Sequence, residues 1–335
     1  MKSAFDPQHR QTWERQSKKP SASLSLDLDN QWSYMKTHGD AGWEAFPSYL
    51  DVVIPRFLDF LQARNLIITV FIVGQDAALP QHAGVLRQIA TVGHEIGNHS
   101  FRHEPWLHLY PEPEIEDELA RAETHIEAAT GCRPLGFRGP GYSLSPTTLR
   151  VLKRRGYAYD ASTFPTFIGP LARAYYFMTS RFEPEEREQR KLLFGTLRDG
   201  LRPLKPYQWR LDDDALLEIP VTTMPLLRVP IHVSYLLYLS AVSSALATSY
   251  FNTALALCRW TGTAPSLLLH PLDFLGCDDN LSELAFFPTM GLTSDYKMQI
   301  ISDVLQRLTT HYAVLPMGRY AQEVSQVSCL KQYQP

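Results

Sequence analysis

Residues 67–100 read IITVFIVGQDAALPQHAGVLRQIATVGHEIGNHS. The segment opens on an apolar, β-branched run at Ile67–Gly74, passes through a helical pattern near 77–92, and returns to a strand pattern at His94–Ser100. Strand, helix and strand in that order form a parallel βαβ unit. The alternation continues in both directions. Further strand candidates are Leu24–Asp29, Gly136–Pro140, Tyr157–Ser162, Leu216–Thr222, Ser266–Asp273 and Tyr312–Gly318. Helix candidates lie near 48–64, 112–130, 146–156, 234–259 and 294–310. The clearest is 112–130, where Ile115, Leu119, Ala122, Ile126 and Ala129 recur at helical spacing, acidic residues crowd the first turn and Gly131 follows the end. The prediction is an α/β fold, a distorted (β/α) barrel of seven or eight strands with an insertion before the last strands. In such barrels chemistry gathers at the C-terminal strand ends.

The chain has 335 residues, 44% hydrophobic and 20% charged, an ordinary globular composition. A net charge of −3 excludes a strongly basic nucleic-acid binder. Cys132, Cys258, Cys277 and Cys329 stand far apart, which excludes a disulfide framework or a thiolate zinc module. Residues 1–23 are polar and carry no apolar run of signal-peptide length, so they read as a loose arm before a single barrel at 24–335. The expected location is the cytoplasm.

Asp27 and Asp29 close the first strand, two residues apart and so on one face. Two such carboxylates repel unless a cation or proton lies between them; the plainer reading makes one solvent-exposed and the other a turn residue. His99 and His103 follow the third strand at a spacing that puts both imidazoles on one side of a helical turn. Two histidines and a carboxylate leave open positions on a metal ion, as a catalytic site requires. Arg138 precedes Gly139-Pro140-Gly141-Tyr142, a run that either exposes backbone N–H groups to an oxyanion or forms a tight turn beside a surface Arg. Asp160 ends the next strand as a helix cap or a catalytic partner. His270, in the apolar run Ser266–Asp273, is either a core histidine or a proton donor with Asp160 or Asp273 nearby.

In order, D-x-D, HSxxH, R-x-P-G-Y, an Asp after a Tyr-rich strand and L-x-H resemble the polysaccharide deacetylases with the NodB-homology domain (carbohydrate esterase family 4). The resemblance spans 24 to about 163 and 216 to 318, and its fold is a distorted (β/α) barrel. It implies a metal-dependent N-deacetylase acting on an N-acetylated sugar. Asp29, His99 and His103 would hold a divalent metal, usually Zn2+, and Asp27, oriented by Arg138, would be the general base toward water. His270, oriented by Asp160, would protonate the leaving amine. Gly141, Tyr142, Asn30 and Trp32 are assigned to oxyanion or substrate contacts. The D-x-D spacing resembles a subgroup that includes cytoplasmic deacetylases and allantoinase-like relatives. The fourth block lacks the family's usual Trp, so Trp32, Trp43 and Trp106 are candidates for the wall of the sugar pocket. Competing readings are an amidohydrolase or deformylase on another amide, and a barrel that binds glycan or lipid without turnover.

Two stretches bear on substrate. Residues 164–214 read as the insertion, and within it Arg187–Arg210 carries Arg187, Arg190, Lys191, Arg198, Arg202, Lys205 and Arg210 against Glu188 and Asp199, a patch suited to phosphate or anionic lipid unless it is only a solvated helix. Val229–Cys258 contains no charged residue, which predicts a buried helix hairpin, a dimer surface or a helix lying on a membrane. Together they suggest a lipid-phosphate-linked sugar handled at the inner membrane face, the alternative being a small soluble glycoside.

Overall fold

A computed structural model describes residues 19–169, 199–212, 214–327 and 329–335. Ten strands form one sheet: β1 (Ser21–Leu28), β2 (Thr69–Ile72), β3 (Glu95–Asn98), β4 (Gly136–Phe137), β5 (Tyr159–Asp160), β6 (Tyr207–Leu211), β7 (Asp214–Glu218), β8 (Ser266–Leu269), β9 (Ala313–Leu315) and β10 (Gln332–Tyr333). Their order is β10-β6-β7-β5-β4-β3-β2-β1-β8, with β9 also paired to β1, and within it β6 is antiparallel to β7. All eight expected strands are present in parallel pairings. The ladder does not close into a ring. Between the continuation of β7 and the start of β8, Thr222 alone bridges: its N–H donates to Ser266 O at 3.0 Å and its Oγ1 accepts from Ser266 N at 2.8 Å.

Helices α1 (Gln31–His38), α2 (Leu50–Gln62), α3 (Gly74–Ala78), α4 (Ala83–Thr91), α5 (Glu112–Thr130), α6 (Pro146–Arg154), α7 (Val233–Val242), α8 (Ser244–Thr261), α9 (Ser294–His311) and α10 (Met317–Val327) accompany the strands. Strand parity decides what meets them. On β1, Leu24, Leu26 and Leu28 point outward into the large core formed with α2, α7, α8 and α9, which leaves Ser25 and Asp27 facing inward. The barrel interior holds a smaller cluster that includes Phe71, Tyr159, Ile219 and Met317. Two glycines make room for its rings: a Cβ on Gly97 would meet Phe71 at 2.3 Å, and one on Gly136 would meet Tyr159 at 2.0 Å.

The N-terminal end of the barrel is stoppered by α10. Glu95 accepts from Tyr159 Oη (2.7 Å), Thr69 Oγ1 (2.9 Å) and the Gly318 N–H at the start of α10 (2.9 Å). A carboxylate at a helix N-terminus is favourably placed against the helix dipole. This leaves the opposite end for chemistry.

Several boundaries differ from expectation. β1 begins at Ser21, so the arm expected at 1–23 is shorter, and residues 1–18 lie outside the described residues. Within the expected insertion at 164–214, residues 170–198 also lie outside them, including Arg187, Arg190, Lys191 and Arg198. The described end of that stretch forms β6, whose Tyr207, Trp209 and Leu211 alternate into the core. There Arg202 pairs with Asp199 at 2.8 Å and lies over the Trp209 ring. The uncharged stretch 229–258 folds as two helices, α7 and α8, because Ser243 breaks the run with an extended backbone and caps α8 through its hydroxyl. Among the described residues no helix is long and apolar enough to cross a membrane. All four cysteines are free.

Gly136→Ala would force a methyl into the Tyr159 ring. The expected result is a loss of about 1–3 kcal/mol, read as a lower denaturation midpoint.

Candidate metal centre and active site

Asp27 and Asp29 leave β1 on its inner face and meet different partners. Arg138, just after β4, is fully buried, and its guanidinium donates to Asp27 Oδ1 at 2.7 Å, Ser25 Oγ at 2.8 Å and Ala161 O at 3.0 Å. The same guanidinium lies 4.5 Å from the centroid of Phe71. The surface Arg that the Gly-Pro-Gly run also allowed is thereby ruled out. Asp27 is held in one orientation at the floor of a cleft, and the residue is only 4% exposed.

Asp29 meets both histidines. Its Oδ1 is 3.2 Å from His99 Nε2 and 3.0 Å from His103 Nε2. His99 Nδ1 donates to Arg138 O at 2.6 Å, which fixes the tautomer and presents Nε2 as a lone-pair donor. Asp29 Oδ1 and both ring nitrogens of His103 are buried without a hydrogen-bond partner. Ligand atoms of the three residues lie within 4.8 Å of one another. Asp29 Oδ1, His99 Nε2 and His103 Nε2 converge in a buried place, a donor set that suits a divalent cation, and these residues could hold one. Burial by itself raises the Asp29 carboxyl, but the adjacent His103 and His99 outweigh it and hold the group well below the usual carboxylate range.

The histidines do not lie on a helical turn as their spacing predicted. Residues 99–103 form a loop in which Ser100 (φ 62°) and His103 (φ 53°) are both left-handed. Asn98 Oδ1 accepts the Ser100 N–H at 2.8 Å, and Glu118 of α5 accepts the N–H groups of Phe101 (3.1 Å) and Arg102 (2.9 Å). Side chains thus satisfy the donors that a helical turn would have satisfied with its own backbone.

The cleft is lined by Asp27, Asp29, Tyr34, Thr37, His99, His103, Pro105, Gly141, Tyr142 and His270. Gly141 and Tyr142 are both left-handed, and the Tyr142 N–H is engaged by Gly139 O at 2.9 Å. Tyr142 lines the cleft and is backed by Phe164, on which it stacks with centroids 4.7 Å apart. Trp32, Trp43 and Trp106 do not line it. Tyr34 and Thr37 were not picked out in the sequence; Asn30, a strong N-cap, starts α1, and these two residues fall on the helix face turned to the cleft.

Three expected contacts are absent. Asn30 is wholly buried, caps α1 at Gln31 N and donates to Asp76 Oδ1 at 2.7 Å, so it does not face a substrate. Trp32 is buried too, with its Nε1–H on the same Asp76 oxygen at 2.9 Å. Asp160 does not orient His270. Tyr159 and Ala161 point into the barrel, so Asp160 between them points outward, where it bonds Ser162 Oγ at 2.6 Å and faces Glu218 in register on β7. Both carboxyls are fully buried; burial and the neighbouring Asp160 push Glu218 well above the usual range. The groups beside His270 are Ser234 Oγ, 3.0 Å from Nδ1, and Asp273, whose Oδ2 accepts the His270 N–H at 2.8 Å.

Fold and site define a class: a mostly parallel α/β barrel with one carboxylate and two imidazoles converging at the C-terminal strand ends. Residues 40–159 match the family model described as polysaccharide deacetylase, which supports the resemblance over the second and third of the five blocks. The matched stretch contains His99, His103 and Arg138. A peptidoglycan deacetylase of Helicobacter pylori is 27% identical over 169 residues, 49% of this chain and 55% of that protein. The chain spans between 22% and 55% of the length of the curated relatives it matches. A Mycobacterium smegmatis structure assigned as a polysaccharide deacetylase superposes with a TM-score of 0.59 at 18% identity, covering 94% of this chain and 95% of that one. An allantoinase structure superposes with a TM-score of 0.53 at 17% identity, covering 91% and 90%. At these identities the likeness establishes the fold, which hosts proteins named for different substrates.

Asp76, beneath Asn30 and Trp32, has its carboxyl pushed up to about 7 by burial, against the pull of those two donors. The unfolded chain releases this proton near pH 4 and the folded one near 7, so stability falls as pH climbs between them. Asp76→Asn keeps an acceptor for both donors and removes the titration. The variant is expected to gain on the order of a few kcal/mol over the wild type between pH 5 and pH 8, read from denaturation midpoints.

Proposed function

We propose that this chain is a metal-dependent N-deacetylase that removes an acetyl group from an N-acetylated sugar. The observation that carries the reading is the unpaired Asp29 Oδ1 facing two imidazole nitrogens in a cleft that also contains Asp27 and His270. Asp29, His99 and His103 would hold the ion, and a set of two neutral imidazoles and one carboxylate suits Zn2+. When bound, such an ion polarises an acyl oxygen and makes water more acidic.

The chain's own groups divide the remaining work. Asp27, fixed by Arg138, accepts the proton of the attacking water. As oxyanion donor, Gly141 N–H replaces that of Tyr142, which Gly139 O already engages. Tyr142, backed by Phe164, offers an aromatic surface to a sugar ring. His270, immediately after β8, donates a proton to the departing amine nitrogen. Base and acid on separate strands can each keep the protonation state its step needs. The sugar is best sought first among free and lipid-phosphate-linked N-acetylglucosamine compounds.

The test is acetate release from N-acetylglucosamine oligomers together with metal analysis. Activity is expected to disappear with a chelator and return with Zn2+. Asp27→Asn should retain metal and lose at least about 100-fold in turnover; a variant within a few-fold of wild type would overturn the base assignment. His99→Ala should lose the metal itself. Formate or ureido products in place of acetate would move the chain to another amide chemistry.

A further inference from the structure

Asp160, the carboxylate expected behind His270, faces away from the cleft, yet an imidazole that must deliver a proton needs its second nitrogen held. Two groups occupy that place. Ser234 stands in the first turn of α7 with Oγ 3.0 Å from His270 Nδ1. Asp273 ends the short turn Pro271–Asp273 that begins at His270, and folds back so that Oδ2 accepts the His270 N–H at 2.8 Å. The residue is 1% exposed; burial pushes its carboxyl up, and the neighbouring His270 and Ser234 pull it back. Lys297, whose Nζ donates to Leu272 O and Leu275 O at 2.8 and 2.6 Å, adds a positive charge below the turn.

We propose that Ser234 and Asp273 are the positioning residues of His270, forming a relay in which Asp273 holds the Ser234 hydroxyl and Ser234 holds Nδ1. The inference rests on the deacetylase reading. In the protonated ring, Nδ1–H donates to Ser234 Oγ and the Ser234 O–H donates to Asp273. The Nε2 proton then passes to the amine nitrogen as its bond to the acyl carbon breaks, and the ring remains neutral with its proton on Nδ1. Nothing else is transferred, so Ser234 keeps its own proton throughout. The relay joins α7, in the uncharged stretch, to the end of β8. That gives the start of this stretch a task its composition alone does not disclose.

A ring that delivers a proton to a poor leaving group matters to an amide and much less to an aryl ester, whose phenolate leaves unaided. The experiment compares the zinc-loaded wild type, Ser234→Ala, Ser234→Thr and Asp273→Asn on an N-acetylglucosamine oligomer and on 4-nitrophenyl acetate. Metal content and thermal unfolding are measured for each. Ser234→Ala is expected to lower kcat on the amide by about 10–100-fold with little change in KM, while aryl ester turnover falls no more than a few-fold. Ser234→Thr, which restores a hydroxyl, should recover most of the loss. Combining Ser234→Ala with Asp273→Asn should cost about as much as either change alone, as expected of residues acting in one chain. Equal losses on both substrates, additive losses, or no loss on the amide would overturn the relay while leaving the deacetylase reading in place. A zinc-loaded wild type that hydrolyses neither substrate would overturn both.

Discussion

A guanidinium without water around it must find its partners in the protein, and the upper half of this barrel is arranged around that requirement. Arg138 reaches from the end of β4 to β1, to the segment after β5, and to the face of Phe71. Burying such a charge is expensive, and removing one partner of a buried pair commonly costs about 3–5 kcal/mol, on the order of a third or more of a domain's stability. The pair therefore ties stability to the orientation of Asp27. Its backbone participates as well: the Arg138 carbonyl takes the His99 Nδ1 proton, so one residue positions both the proposed base and one of the proposed metal-ligating imidazoles.

The cleft has two sides of different origin. Asp27, Asp29, His99, His103 and Gly141 come from β1 and from the loops after β3 and β4, within a continuous run of parallel ladder. His270 comes from β8, on the other flank of β1, where the sheet stops and Thr222 alone spans to the next strand. One side is thus built on paired strands. The other depends on side-chain contacts among α7, β8 and the turn that follows it.

How much could be read in advance follows from how local each signal was. The succession of strands and the helix at Glu112–Thr130 rest on short-range patterns, and the structure contains them, while the Asp29, His99 and His103 set came from the resemblance and the three side chains do converge. Parity could have corrected Asp160: on β5 the large apolar Tyr159 claims the interior, but two paired residues are too few for alternation to be evident. The HxxxH spacing suggested a helix because spacing says nothing of φ, and here two left-handed residues turn the chain. β6 was hidden by the Pro- and Arg-rich text around it, although Tyr207, Trp209 and Leu211 carry the period of two. Asn30 and Trp32 were drawn toward the substrate by their nearness to Asp29, whereas a residue that caps a helix is already committed to backbone donors.

The outward-facing Asp160 and Glu218 sit in register on adjacent strands, where burial and the neighbouring Asp160 hold the Glu218 carboxyl well above the usual range. The formal charge of −3 counts both as ionised. Folding therefore strengthens the hold of this pair on a proton, which the unfolded chain gives up at lower pH.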